Sequence, residues 1–439
     1  MFFALSLPLT AQTLSLKQCI EYAKQNNSDI KIAAMETEKS SKKVSEQIGK
    51  GLPQVDISST LTNNLDISTS LLPGALFGST EEFVPVKMGT KFTLSNTLNL
   101  TQKIFDASFW VGLSAAKLSN KQSELSMQQT EETTSYNVSI AYYRALVVQK
   151  QSENLKVILG VSQHALTSTE LKFKNGMAKK IDVDKIRVSY NSTRSQLQQT
   201  EMNEKQTLNN LKYAIGMPVD NAISLSDSLA ILKTSTDQQT SSDADGFKNR
   251  FDYQLQEVTL EAQQASRNNN IAEYFPTLSF FANYNYNAMR PEFNIFQSGE
   301  EWYKSSALGL TLKIPLFSGF QRLSRVEQAQ VEVEQAKENI KLKEQAIKVE
   351  ISNYEIQYKT ALENIENERE NLALAESVYE NTQMEFKQGT SSALELVQAE
   401  SALRETQNNY YTKLLTLYTA QLDKEKANGT LINFINTLK

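Results

Sequence analysis

Two stretches of this 439-residue chain constrain its fold more than anything else. From Val111 to Ile215 there is no proline, and glycine occurs only at Gly112, Gly160 and Gly176. From Leu316 to the end there is again no proline, and Gly389 breaks that run near its middle. Leu113 to Lys174 alone would make a helix about 90 Å long at about 1.5 Å per residue, far beyond ordinary globular helices. A glycine inside such a run costs helix stability, so it marks a turn. Leu171-Lys-Phe-Lys-Asn-Gly176 and Met384-Glu-Phe-Lys-Gln-Gly389 therefore read as the tips of two helical hairpins. The second lies 213 positions after the first (389 − 176), as if one unit had been written twice.

The rest of the chain keeps the same step. Leu14–Lys50 reads as a helix with Leu16, Ile20, Ala23, Ile30, Ala33 and Ala34 on one face, stopped by Gly49, Gly51 and Pro53. Phe247–Glu273 reads as a second such helix, stopped by Pro276. After each, the period changes to two. Val55, Ile57 and Leu61 alternate with Asp56, Ser58, Thr60 and Thr62; Phe92, Leu94, Leu98 and Leu100 alternate with Thr93, Ser95, Thr97, Asn99 and Thr101. In the second half, Leu278–Tyr286 and Leu308–Ile314 alternate in the same way. Leu98, Leu100, Ile104 and Phe105 precede Leu310, Leu312, Leu316 and Phe317 by 212 positions (317 − 105), and Tyr142 precedes Tyr354 by the same offset. The expected layout is a leader remnant at 1–11, a first repeat at 12–222 and a linker at 223–246. A second repeat at 247–430 and a C-terminal tail at 431–439 complete it. Strands are expected at about 54–64, 91–101, 277–287 and 306–315, and tips at 173–176 and 386–389. Met1–Ala11 is apolar and ends in a small residue, like the core and cleavage site of an export signal, though without its basic start.

Composition excludes several classes. A net charge of −5 with both signs interspersed argues against nucleic-acid binding. One Cys and one His leave no disulfide within the chain and no Cys/His metal site, so neither metal nor cofactor is expected. His164 lies mid-helix and Cys19 on an amphipathic face, neither in a catalytic setting. No carboxylate pair, metal set or phosphate loop has usable context, so no enzyme is expected. No run approaches the roughly 20 apolar residues of a membrane helix; a chain like this enters a bilayer only as strands.

The strand faces favour that over the alternative, a soluble two-layer sheet whose apolar face packs on protein. One face is apolar and the other Thr-, Ser- and Asn-rich with few charges, which fits a membrane barrel with lipid outside and water inside. Tyr284, Tyr286, Trp302 and Tyr303 suit an aromatic belt at the lipid–water boundary. Four strands cannot close a barrel, which needs about eight, and lipid forbids an open edge. Several copies must then share one barrel. The fold class expected is an α+β membrane protein: duplicated antiparallel helical hairpins plus four strands per chain in a shared transmembrane barrel. Val326, Val333, Ile340 and Ile347, and Leu396, Leu403, Tyr410 and Leu417, recur every seven residues. Such narrow stripes suit helices packed side by side with one face wet.

This layout resembles the TolC-like outer-membrane efflux proteins, over nearly the whole chain. The resemblance rests on the duplication, on the tips Phe173-Lys-Asn-Gly176 and Phe386-Lys-Gln-Gly389, on Ile314-Pro-Leu-Phe-Ser-Gly319, and on the opening helix Leu14–Ala33. It implies a homotrimer with a barrel of twelve strands, four from each copy, and a long periplasmic helical tunnel. It also implies a periplasmic adaptor, which would meet the tips at Phe173, Lys174, Gly176, Phe386, Lys387 and Gly389, and an inner-membrane pump of RND or ABC type. An acid six residues after each tip glycine narrows the entrance in this family; here these are Asp182 and Glu395. Where some members carry a further acid and a latching arginine, this chain has Gln398 and Ser391. The competing readings are a soluble coiled-coil scaffold, which leaves the four alternating strands unexplained, and a periplasmic adaptor, which resembles a single hairpin rather than two in tandem.

Overall fold

The computed structural model describes residues 12–227, 229 and 246–437. The expected leader at 1–11 and most of the linker lie outside them. The chain forms two compact units. One takes its residues from the segment ending at Glu38, from Gln122–Val258 and from Lys337 onward; the other is Lys39–Lys121 with Thr259–Ala336.

Strand β1 (Gln12–Leu14) leads into α1 (Leu16–Asn26). Ser15 and Gln18 close a capping box at its start, and Leu16, Cys19, Ile20 and Ala23 are its buried stripe. The single helix expected over 14–50 is in fact two. Asn27 is extended (φ −62°, ψ 132°), its Oδ1 accepts the Asp29 amide at 2.8 Å, and its Nδ2 donates to Ala214 O at 2.8 Å. An asparagine that caps the next helix breaks the first one, and α2 (Ser28–Gly49) follows. Then come β2 (Gln54–Asn63), β3 (Thr69–Pro73), β4 (Phe83–Lys87) and β5 (Phe92–Phe105). The segment between the first two expected strands thus contains a hairpin, β3 with β4. Its turn needs Gly74, where an added Cβ would lie 1.9 Å from Glu81 O.

Helix α3 (Ala107–Lys174) has 68 residues, about 100 Å. It returns as α4 (Lys180–Ile215), which ends at Gly216 in the left-handed region. Strand β6 (Ile223–Leu225) pairs in parallel with β1. The second half gives α5 (Phe251–Ala272), β7 (Thr277–Arg290), β8 (Tyr303–Lys313) and α6 (Gln321–Gln388), again 68 residues. The return helix α7 (Ala393–Ala427) and α8 (Leu431–Thr437) close the chain. The expected tail is therefore mostly helix, with Leu431 and Ile435 buried.

In the helical unit, the main core gathers α1, α3, α4, α6, α7 and α8 around Tyr142, Tyr143 and Tyr418. Tyr143 and Tyr418 stack with centroids 4.3 Å apart, and Tyr142 OH donates to Leu14 O at 3.1 Å. Cys19 is fully buried, and burial first, with Asp227 second, pushes its thiol up to about 12. The end of α7 is clamped by Arg250, whose Nη1 donates to Ala427 O at 2.9 Å and whose Nη2 reaches Asp252 at 2.8 Å and Glu350 at 3.0 Å. The heptad stripes are the packed ones: Val333, Ile347, Leu396, Leu403 and Leu417 are buried.

In the strand unit, the sheet has the order β2-β5-β7-β8, antiparallel throughout. β5 of the first repeat pairs with β7 of the second, so the sheet joins the two repeats at its centre. β2 and β8 are left as its edges.

Candidate functional site

The hairpin tips are built by the same local device. The Met177 amide donates to Lys172 O at 2.8 Å and the Gly176 amide to Phe173 O at 2.9 Å. At the second tip, Thr390 donates to Glu385 O at 3.0 Å and Gly389 to Phe386 O at 3.2 Å. This nested pair of bonds needs a left-handed residue at the inner position. Gly176 (φ 75°) and Gly389 (φ 83°) supply it. Nothing lies within 4 Å of an added Cβ at either, so conformation rather than space demands glycine.

The two tips are not equivalent beyond the backbone. Phe173 is 43% exposed, and Lys174 and Lys387 are exposed beside it and its counterpart. Phe386 is half-buried, packed against two small cores that include Ile158, Leu166, Ile186 and Leu396. Lys172 of the first tip stands over its ring at 5.5 Å. One aromatic thus joins the two hairpins, and the other faces solvent.

Asp182 and Glu395 occupy the same place in the two return helices, the third residue after the caps Lys179 and Ser392. There the positive end of the helix dipole favours an acid. Glu395 is further committed. Its Oε2 accepts the Ser392 amide at 2.7 Å and the Ser391 hydroxyl at 2.8 Å, and its own amide donates to Ser392 Oγ at 3.2 Å. The Ser392 backbone bond, aided by both hydroxyls, holds its carboxyl below the usual glutamate range. A neighbouring cleft of about 320 Å³ lies between α4 and α7, lined by Ile181, Asp184, Lys185, Val188, Leu394 and Val397. Asp184, not Asp182, is the acid that lines it. Sequence reading missed this cleft, because its walls come from two segments about 200 residues apart.

In the sheet, the register puts like with like. Ile57 pairs with Leu98 and Leu98 with Tyr284; Val55 pairs with Leu100, Leu100 with Ala282 and Ala282 with Leu308. This apolar face is uncovered: Ile57 is 74% and Leu308 76% exposed. The opposite face is tied by side chains. Asn99 Nδ2 donates to Asp56 Oδ2 at 3.2 Å, Ser95 Oγ to Asn287 Oδ1 at 2.6 Å, and Asn285 Nδ2 to Ser305 Oγ at 3.3 Å. Phe281 intrudes on that face, its ring filling the space a Cβ at Gly309 would need.

Of the expected aromatic belt, Tyr284 and Tyr286 lie on the apolar face. Trp302 stacks on Tyr286 at 4.7 Å, and Lys304 stands over the same ring at 5.7 Å. Tyr303 is the exception. It pairs with Asn287 and so shares the polar face, because one step along a strand turns a side chain over. A second aromatic group, missed in the sequence, sits at the other end of the strands. Tyr274, Phe275, Phe105, Trp110, Phe317 and Phe320 are all exposed where the strands meet their helices. Their shared location follows only from the pairing of Phe105 with Leu278 and Thr277 with Lys313.

Among the described residues no helix is long and apolar enough to cross a membrane, and no group of His, Cys, Asp or Glu could hold a metal. The uncovered apolar face of the sheet has the character of a surface that meets lipid.

Comparison with known proteins bears on that geometry. The family described as outer membrane efflux protein matches residues 19–217 and 247–429. Outer membrane protein TolC of Vibrio cholerae is 21% identical over 347 residues, 77% of each chain. The crystal structure of the outer membrane protein VceC from Vibrio cholerae superposes with a TM-score of 0.72 at 17% identity, covering 94% of this chain and 96% of that one. The Campylobacter jejuni CmeC outer membrane channel superposes with a TM-score of 0.71 at 17% identity, covering 95% and 86%. The chain belongs to the outer membrane efflux protein family, as a non-enzymatic channel protein of the outer membrane with a large helical part on the periplasmic side.

Proposed function

We propose that this protein is the outer-membrane duct of a tripartite efflux or type I secretion assembly, a homotrimer through which substrates cross the periplasm and leave the cell. The observation that carries this reading is the four-stranded sheet. Its apolar face is bare and its edge strands β2 and β8 are unpaired. Lipid tolerates neither open edge, so β2 of one copy pairs with β8 of the next until the ring closes. Three copies contribute twelve strands, a barrel wide enough for a wet interior.

The helices support the same assembly. On the face of α6 away from its packed stripe, Leu342, Val349 and Ile356 recur every seven residues and are 65%, 60% and 60% exposed. A heptad seam left bare in one chain suits a helix of a neighbouring copy. The exposed Phe173, Lys174 and Lys387, with the glycine turns at Gly176 and Gly389, are the surface a periplasmic adaptor would grip, and an inner-membrane pump would stand behind that adaptor. Phe386 contributes to this surface from beneath, by holding the two tips together. Asp182 and Glu395, repeated in each copy, would put carboxylates around the entrance and favour cations there.

The test is the mass of the detergent-solubilised complex together with single-channel conductance in a planar bilayer. A trimer that conducts is expected. A monomer, or a trimer without conductance under any condition, would count against the duct.

A further inference from the structure

Near the tips, the two hairpins share one buried carboxylate. Glu400 of α7 is 3% exposed. Its Oε2 accepts the Ser162 hydroxyl of α3 at 2.8 Å. Its Oε1 accepts the hydroxyls of Thr193 at 2.9 Å and Ser189 at 3.2 Å, both on α4. Arg404, one turn further along α7, brings Nε to 3.9 Å from Oε1, and its Nη1 donates to Gln196 Oε1 at 3.1 Å. From α6, Tyr379 faces the same charge; burial first, and Glu400 second, push its hydroxyl above the ordinary phenol range. Ile158, Leu396, Ala399 and Leu403 belong to the apolar cluster around it.

A carboxylate taken out of water is tolerated only when donors fill its lone pairs. Here three hydroxyl donors come from the first repeat and the acceptor from the second. The duplication does not repeat the arrangement. At the position matching Glu400 (400 − 213) the first repeat has Arg187, which is exposed and pairs with Glu170 at 2.8 Å. The position matching Ser162 (162 + 212) is Leu374. The network therefore exists once per chain, between its own two hairpins.

A charge half withdrawn from its donors is worse off than one fully seated or fully hydrated. Such a contact has two states rather than a continuum. We propose that the Glu400 carboxylate is a catch: it fixes α7 against α3 and α4, and the tip end of α7 leaves the first hairpin only when those three hydroxyl bonds are given up together. The catch stands on packing alone; its consequence for passage rests on the duct reading above.

The experiment uses the full-length protein in nanodiscs with spin labels at Ser192→Cys and Ser401→Cys, both exposed. In Glu400→Gln, the distance distribution between the labels broadens, amide exchange over residues 393–405 speeds up about tenfold, and mean conductance rises. Replacing both sides, by Glu400→Met with Ser162→Ala, Ser189→Ala and Thr193→Val, leaves none of the three hydroxyls orphaned and returns a narrower distribution than Glu400→Gln. Thr193→Val alone gives a smaller shift in the same direction and serves if Glu400→Gln does not fold. Folded Glu400→Gln with unchanged distances and exchange would overturn the catch. Broadened distances with unchanged conductance would overturn its link to passage. Absence of conductance even in the unaltered protein would fall on the duct reading, and the distances would still decide the catch.

Discussion

Thr97 donates its hydroxyl to the side-chain carbonyl of Asn285 at 2.8 Å, across the strand pair that joins the first repeat to the second. The next residue, Leu98, pairs with Tyr284 on the opposite face. Two neighbouring positions thus live in opposite solvents. Thr97→Val keeps the shape and loses one hydrogen bond, a cost of about 1 kcal/mol, with the protein still recovered from the membrane. Leu98→Arg puts a charge on the lipid face at about 2–4 kcal/mol near the midplane. Fractionation should find that variant depleted from the outer membrane, and equal recovery of the two would contradict the assignment of faces.

At the tips, Gly176 and Gly389 hold left-handed conformations that a side chain resists. Gly176→Ala and Gly389→Ala should each cost about 1 kcal/mol and speed amide exchange in the last turn before the tip. Thermal melting of the rest of the chain should not move. A control, Gly160→Ala, lies inside α3 with open space around it and should stabilise instead, by about 0.5–1 kcal/mol.

Phe173 and Phe386 match in sequence but differ in setting, and they should separate in experiment. Phe386→Ala removes a ring that joins the two hairpins and that Lys172 covers. A loss of about 1–3 kcal/mol is expected for a half-buried aromatic, visible in thermal unfolding. Phe173→Ala should leave unfolding alone and, on the proposed function, weaken capture of a periplasmic adaptor. Identical effects of the two on stability would show that the packing difference is not energetic.

Glu395→Gln distinguishes capping from a role at the entrance. Glutamine satisfies a capping box as glutamate does, so helix α7 should keep its start. The charge is lost, so block of the channel by divalent cations should weaken. The carboxyl of Glu395 is held below the usual range by its bonds to Ser392 and Ser391. Its contribution is therefore present above the unfolded-state value and is lost only as pH falls through the lower, folded one. Cation block in the unaltered protein should accordingly persist at mildly acidic pH. Unchanged block in Glu395→Gln would remove this residue from the entrance.

The Arg250 clamp gives a second pH window. Burial alone would raise the Asp252 carboxyl, but hydrogen bonds from Arg250 and Lys343 outweigh it and hold it at about 2. Because the folded value is depressed, this stability is complete above an unfolded value of about 4 and fades as pH falls toward about 2. The amount is on the order of 1–2 kcal/mol. Acid unfolding of the helical unit should lose that dependence in Asp252→Asn, whereas Arg250→Met should cost more at neutral pH because it takes the guanidinium from Glu350 and leaves Asp252 with Lys343 alone.

Much of this was legible in the chain itself. Helix and strand are announced by periods of 3.6 and two, and turns by glycine, and each is a property of neighbouring residues. The duplication, the two 68-residue helices, the alternating strands and the tips at Gly176 and Gly389 follow from such local signals. Where the reading of elements failed, a local polar contact intervened. Asn27 divided the first helix by capping the second; elsewhere space decided, where Gly74 allowed a hairpin between the first two expected strands.

What only the tertiary structure decided depends on which distant residues meet. That β5 pairs with β7, leaving β2 and β8 as edges, is a matter of register between the repeats. The pairing of β8 with β7 puts Tyr303 on the polar face, and the two pairings together gather Phe105, Tyr274 and Phe317 at one end. Phe386 packs between the hairpins and Phe173 does not, though their surroundings in sequence match. Glu400 reads as one more acid on a charged helix until Ser162, Ser189 and Thr193 close around it. Periodicity reports which side of an element is apolar, but burial and hydrogen bonding are set by partners some 200 residues away, and no local pattern records them.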